Sequence, residues 1–592
     1  MAAPRIIVVG GGLAGLAAVI KIAEAGGAVD LFSIVPVKRS HSVCAQGGIN
    51  AAKNLKGEGD TTYKHFDDTI YGGDFLANQT PVKAMCEAAP AIIDLLDRMG
   101  VPFNRTPEGL LDFRRFGGTL YNRTAFAGAT TGQQLLYALD EQVRRFESEG
   151  KVRKFEGWEF LSAVIDGAGV ARGITALDLR TMELRSFPAD AIILATGGNG
   201  AIFGKSTNSV VCTGSAQSAV FQQGVYYANG ELIQVHPTTI PGEDKLRLMS
   251  ESARGEGGRV WVPRTPGDKR PIKQIPETDR FYFLEEWYPK YGNLMPRDVA
   301  TRAIHKVVYE LGLGIDGQPM VYLDLSHIDR ATLDRKLGGI LEIYEKFVGD
   351  DPHEVPMKIF PGMHYTMGGM WVDFNQMSNI PGIFGAGECE YQYHGANRLG
   401  ANSLLSCIYG GFISGPNALN YAKSLPAITG DGGHAAELAR QSEINSKLLK
   451  NEGTENPFRL WRELGQTMTE NVTVIRYNAK IKQTDEKIVE LLERYKKVNL
   501  SDKSQWANTS FAFARQLKNM LELARVIAQG ALLRDESRGS HYKPDFPDRN
   551  DEKFLKTTKA TFTGAADGPR FEYEEVDTQF IKPRPRRYDV AN

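Results

Sequence analysis

The chain opens on an apolar, β-branched run at residues 6–9, followed by Gly10-Gly11-Gly12-Leu13-Ala14-Gly15. Leu13, Leu16, Ala17 and Ile20 then recur at helical spacing, and Gly26-Gly27 closes the segment. Residues 29–32 read as a second strand, completing a βαβ unit. Two more apolar strands run into glycine turns far along the chain, at residues 191–198 and 383–388. Three strand–glycine elements so widely spaced predict an α/β fold built on one Rossmann-like nucleotide domain, interrupted by an insertion.

The intervening pattern sets the remaining organisation. Residues 241–354 mix helical stretches with Pro- and Gly-rich loops, which predicts an α+β capping domain over the nucleotide site. Residues 1–240 and 355–430 then form the two parts of the nucleotide domain. Beyond residue 431 amphipathic helices dominate, at 435–450, 458–467, 485–495 and 511–533, and predict a helical-bundle domain over 431–545. A small C-terminal domain, 546–592, carries short strands between 559 and 577. Its end, Ile581-Lys582-Pro583-Arg584-Pro585-Arg586-Arg587, is basic and Pro-rich, and reads as a solvated or partner-docking extension.

The apolar stretch 6–20 has the look of a signal-peptide core, but three consecutive glycines would break a continuous helix there. The first strand starts almost at Met1, which leaves no room for a transit peptide, and no stretch is long enough to span a bilayer. A net charge of −1 gives no reason to expect nucleic acid as a partner. The five cysteines are scattered without a CxxC pair, which argues against disulfides and against an iron–sulfur cluster held by this chain.

The chemistry begins at the first turn. Gly10 permits the turn, Gly12 lets a pyrophosphate approach, and Gly15 lets helix and strand pack. The helix start at Leu13 and Ala14 offers free N–H groups to the phosphates. Ser33 follows the second strand, where an acid for the ribose is expected; Glu388, after a later strand, is a candidate to supply that contact. Ala195, Thr196 and Gly197 form the second glycine turn.

Arg39-Ser40-His41-Ser42-Val43-Cys44-Ala45-Gln46-Gly47-Gly48-Ile49 resembles the flavinylation segment SH-x-x-x-AQGG of succinate dehydrogenase and fumarate reductase flavoproteins. The resemblance continues in family order. It takes in Phe116-Gly117-Gly118, His236-Pro237-Thr238, Ser250 to Gly258 (with Ser250 where threonine is usual), Pro296 to Arg302, His364 to Gly369, His394 to Leu405, and Arg534 to His541. One departure is Thr213-Gly214-Ser215-Ala216, where the family often has TGDG, so Ser215 replaces an acid that contacts the cofactor.

The resemblance implies FAD bonded through its 8α-methyl group to His41, with Ser40, Ser42, Gln46, Gly47, Gly48, Ser403 and Leu404 beside it. It implies that Arg398 and His364 hold one carboxylate of a four-carbon diacid, and His236 and Ser250 the other, with Phe116 and Gly117 close by. It assigns the proton to Arg297, relayed through Glu251 and Arg254. A guanidinium stays protonated, so the role is easiest to read as donation to fumarate. It implies no metal, and as partners an iron–sulfur subunit and a membrane-anchor cytochrome b, quinone-binding subunit. The expected place is peripheral, on the cytoplasmic face of a bacterial or archaeal inner membrane. An L-aspartate oxidase-like soluble flavoenzyme, with FAD held noncovalently, is the alternative.

Overall fold

A computed structural model describes residues 4–240, 242, 245–425, 431–564 and 566–588. The first apolar run forms β1 (Arg5–Val9), followed by α1 (Leu13–Glu24) and β2 (Ala28–Ser33). With β3 (Val152–Glu156), β4 (Ala191–Leu194) and β5 (Ile383–Gly385) they make a parallel sheet in the order β5-β4-β1-β2-β3. The three glycine turns predicted from the sequence thus leave neighbouring strands at one edge of one sheet. Strand β3 is absent from the sequence pattern because only Val152 of its five residues is buried. As an edge strand it shows a charged face, and Arg153 pairs with Asp30 on β2.

Helix α1 is buried on nearly every side, not on one face, because it is clamped between the sheet and a second helix. That helix, Asn402–Ser424, approaches through Gly411 and Gly415. A Cβ on Gly411 would lie 2.3 Å from the carbonyl of Ala14, and one on Gly415 2.7 Å from that of Ala18. Small residues are what let the two backbones come this close.

Two long strands, Ile233–Ile240 and Met357–Thr366, run as an antiparallel pair out of the nucleotide domain and become the centre of the cap's six-stranded sheet. The cap sheet therefore begins before residue 241 and ends after 354; the expected boundaries at 241 and 430 lie outside the described residues. Both strands are bulged. His364 is the extra residue between the pairs Gln234–Tyr365 and Val235–Met363, and the Pro237-Thr238 region bulges before Thr239–Phe360. Bulges re-aim side chains, and Pro237 has no N–H to give the ladder. The cap is completed by α2 (Arg297–His305) and the helix Arg330–Val348, around Val260, Leu323, Ile304 and Leu337.

The four later helices, His434–Lys450, Pro457–Val472, Asn478–Tyr495 and Thr509–Leu533, match the helical stretches read from the sequence. The third starts seven residues early, because only Ile481 and Thr484 of its first turns face inward. Their core includes Phe203, Phe221 and Tyr227 of the nucleotide domain. The C-terminal hairpin, Lys556–Thr561 with Arg570–Glu575, joins strands Tyr227–Ala228 and Gly369–Met370 in one sheet, so it extends the nucleotide domain. The basic tail is packed down at intervals and is not wholly solvated: Ile581 and Tyr588 are buried and the Arg586 side chain is mostly covered, pairing with Asp298 of the cap, while Lys582, Arg584, Pro585 and Arg587 stay exposed. Among the described residues no helix is long and apolar enough to cross a membrane.

Adjacent glycines on Asn402–Ser424 give a direct test of this packing. A Cβ on Gly410 would meet nothing closer than 3.5 Å, so Gly410→Ala is expected to gain up to about 1 kcal/mol of helix preference. Gly411→Ala forces the helices apart and should cost about 1–3 kcal/mol. Denaturation midpoints of the two variants check this; equal midpoints would contradict it.

Candidate active site

The ends of β1, β2, β4 and β5 open onto a cleft that encloses about 1010 Å³ of empty space, open solvent included. Gly10, Gly12, Leu13, Ala14, Ser33, Ser40, His41, Ser42, Ala195, Thr196, Gly197, Ser215 and Glu388 all line it. Gly10 has φ +118°, and a Cβ there would sit 2.1 Å from the carbonyl of Ala195. Gly12 gives α1 no side-chain cap of its own, and the Leu13 N–H donates to the Ser42 hydroxyl at 3.3 Å; the helix start faces the cleft, where a phosphate would meet it. Gly15 does not line the cleft; its missing Cβ would lie 1.8 Å from the carbonyl of Gly10, which makes it a packing residue. The hydroxyl of Thr196 is buried without a partner, as expected of a group that awaits a ligand.

Ser33 donates to the carbonyl of Val35 at 2.6 Å while facing the cleft. Glu388 does not share that position, because it follows β5, and β4 and β1 lie between β5 and β2. It belongs to the other end of the cleft, with His41, and accepts from the N–H of Thr366 at 3.0 Å. Burial pushes its carboxyl up to about 7. Ser215 keeps its place on the cleft despite the lost acid, and its hydroxyl accepts from Asn519 at 2.8 Å.

Beyond His41 the cleft continues into a second space between nucleotide domain and cap, about 1470 Å³ with its open solvent included. Gln46, Gly47, Gly48, Phe116, His236, Ser250, Glu251, Arg297, His364, Arg398, Ser403 and Leu404 line it together. Gly117 and Arg254 do not. A Cβ on Gly117 would sit 2.0 Å from Glu251 Oε1, so this glycine makes room for the carboxylate. Arg254 lies behind Glu251.

The charged groups form a continuous row. Arg297 donates from Nε and Nη2 to Glu251 Oε2 at 2.9 and 2.7 Å. Glu251 Oε1 in turn accepts from Arg254 Nη2 at 2.9 Å. Burial raises the Glu251 carboxyl, but Arg297 and Arg254 outweigh it and hold it below its ordinary value. Arg398 lies over the Tyr365 ring, and its Nε has no hydrogen-bond partner. Burial, then the nearby Arg297, lower its pKa to about 9. Three buried guanidiniums thus face the ionised Glu251 and a Glu388 that burial keeps only about half ionised, which leaves an excess of positive charge.

The two histidines stand 4.9 Å apart, ring centre to ring centre. His236 Nδ1 lies 3.1 Å from both the N–H and the carbonyl of Thr238, and its Nε2 has no partner. His364 Nδ1 meets the Thr207 hydroxyl at 2.7 Å. Burial, followed by Arg297, holds both rings neutral, well below the usual histidine range.

Four contributors escaped the sequence reading. Gln234 accepts from Arg297 Nη1 at 2.9 Å and donates to Asn397 and to the carbonyl of Arg398. The strand alternation that puts residues i and i+2 on one face could have paired it with His236. Thr207, Asn208 and Ser209 reach His364 and His41 from a loop that carries no periodic signal.

The match to known proteins covers nearly the whole chain. Residues 5–404 match the FAD binding domain family, and residues 461–588 the fumarate reductase flavoprotein C-terminal family. The chain is 63% identical to a succinate dehydrogenase flavoprotein subunit of Bacillus subtilis, over 99% of both chains. It is 34% identical to a fumarate reductase flavoprotein subunit of Escherichia coli, over 98% of this chain and 95% of that one. A solved variant of the Escherichia coli quinol fumarate reductase flavoprotein superposes with a TM-score of 0.91 at 32% identity, over 100% of both chains. The chain therefore belongs to the succinate dehydrogenase and fumarate reductase flavoprotein family.

Proposed function

We propose that this chain interconverts succinate and fumarate, with FAD bonded to His41. Electrons pass to a separate iron–sulfur subunit and, through a membrane-anchor subunit, to quinone. The observation that carries this reading is the buried excess of positive charge beside the His41 end of the cleft. A doubly charged four-carbon diacid supplies the missing negative charge, with one carboxylate for Arg398 and the other for His236.

FAD fits the residues present: a helix start at Gly12 that faces the cleft, a glycine cradle, and a partnerless Thr196 hydroxyl along it. Gly10, Gly12, Leu13 and Ala14 would hold its diphosphate, Ser33 the adenosine ribose, and Gln46, Gly47, Gly48, Ser403 and Leu404 its ring end. When bound, FAD supplies the hydride acceptor for succinate and the hydride donor for fumarate.

His41 is suited to a covalent link. Burial, then Lys245, lower its pKa to about 4, so the ring is neutral near pH 7. Ser209 N–H donates to Nδ1 at 3.1 Å and Asn208 Nδ2 approaches Nε2 at 3.2 Å. A free neutral imidazole carries one N–H and cannot accept at both nitrogens. An imidazole alkylated at Nε2 accepts only at Nδ1, which is the bond Ser209 provides.

His364 and Arg398 bind one carboxylate, and His236 Nε2 and Ser250 the other. Arg297 then donates a proton to one olefinic carbon of fumarate, while the adjacent carbon takes the hydride; succinate oxidation runs the same residues in reverse. Glu251 and Arg254 are placed to restore the proton on Arg297. The cluster that takes the electrons belongs to the partner iron–sulfur subunit. Docking through that partner and an anchor places the chain peripherally on the cytoplasmic face of a bacterial or archaeal inner membrane.

Arg297→Lys keeps a charge but loses the forked contacts to Glu251 and Gln234. Turnover should fall by about 10²–10⁴-fold, with dicarboxylate binding retained. Steady-state fumarate reduction with a reduced dye, beside a ligand titration of the flavin absorbance, measures both; near-normal turnover refutes the donor role. His41→Ser should retain FAD only noncovalently, with succinate oxidation lost more completely than fumarate reduction. Acid precipitation checks the link: flavin that stays on the variant polypeptide, or unchanged succinate oxidation, would count against it.

A further inference from the structure

The basic tail takes no part in the proposed reaction, yet it reaches the residue beside Arg297. Asp298, in the first turn of α2, has a fully buried side chain. Arg586 meets it with both arms of its fork, Nη1 to Oδ2 at 2.5 Å and Nη2 to Oδ1 at 3.0 Å, across 288 positions of sequence. Arg302, one turn along α2, touches Asp298 Oδ2 at a longer 3.4 Å and donates to the carbonyl of Gly539 at 2.8 Å.

The tail is fixed to the nucleotide domain on both sides of this contact. Gln79 accepts the N–H groups of Phe580 and Ile581 and donates to the carbonyl of Ile581. The Tyr71 hydroxyl both accepts from the N–H of Arg587 and donates to its carbonyl. Tyr588 then enters the core of the cap, its ring 5.2 Å from that of Tyr291. Arg586 is thus held by one domain and spends its charge in the other. Without it, Asp298 would be a buried carboxylate left with one long contact, and the first turn of α2 would shift toward water to relieve it. Arg297 would move with that turn.

We propose that Arg586 is a positioning residue, which through Asp298 sets the first turn of α2 and so the place of Arg297 over the substrate cavity. The tail is a strap that holds the cap against the nucleotide domain. This rests on Arg297 being the proton donor.

The test uses the FAD-loaded enzyme with Arg586→Gln, Arg586→Lys and Arg584→Gln. Arg584 lies on the same tail but pairs with Asp67 on the exposed surface of the nucleotide domain. Since a misplacement of about 1 Å can cost 10²-fold, Arg586→Gln should lower kcat for fumarate by about 10²-fold. Flavin content should be unchanged, and the solvent deuterium isotope effect should rise as proton donation becomes limiting. Arg586→Lys should fall between, and Arg584→Gln should stay within about twofold of the parent. Full turnover in Arg586→Gln, equal losses in Arg586→Gln and Arg584→Gln, or losses that merely follow flavin content overturn the strap. If Arg586→Gln fails to keep its flavin, Arg586→Lys decides: a normal kcat and isotope effect there overturn it equally. Normal turnover in Arg297→Lys would fail the donor reading instead, whereas an inactive Arg297→Lys beside a fully active Arg586→Gln fails the strap alone.

Discussion

Positive charge that its surroundings do not neutralise sits at the seam between nucleotide domain and cap, and the rest of the structure is arranged around it. Arg398 comes from the nucleotide domain, while Arg297, Arg254 and Glu251 come from the cap, so bringing the domains together gathers like charges out of water. Gathering them is costly unless an anion joins them. One carboxylate, Glu251, falls short of what three guanidiniums need, and burial raises Glu388 to about 7, so it is only about half ionised near neutral pH. The pocket is therefore completed by an anionic ligand.

Backbone devices then give the charges their places. Bulges in the two strands that cross the seam turn His364 and reshape the strand after His236, and neutral imidazoles add donors without adding charge. Gly117 and Gly400 leave the volume Glu251 occupies, and Gly47 leaves that of the Phe116 ring. At the other end, Gly10 and the start of α1 at Gly12 open a cleft for a phosphate-bearing cofactor. The two sites meet at His41, which lines both.

Much of this was legible in the sequence because the signals were local. Apolar strands ending in glycines marked β1, β4 and β5, and helical periodicity marked the bundle, since each depends on neighbours along the chain. Contacts set by the third dimension were not legible. Glu388 and Ser33 looked interchangeable because both follow a strand, and only the sheet order separates them. The tail looked solvated because its arginines and prolines are typical of exposed chain, but Arg586 finds Asp298 288 residues away. Gln234 went without a role because a single amide beside a histidine motif carries no pattern of its own.

Fumarate and its monomethyl ester differ by one negative charge, and neither reduces an oxidised flavin. Titrating each into the FAD-loaded protein at neutral pH, with flavin absorbance as the signal, measures how strongly the seam demands a dianion. The ester should bind at least about 10²-fold more weakly, because it leaves one buried cation unpaired. Equal affinities would mean that the buried charge is balanced without the diacid, which contradicts the account.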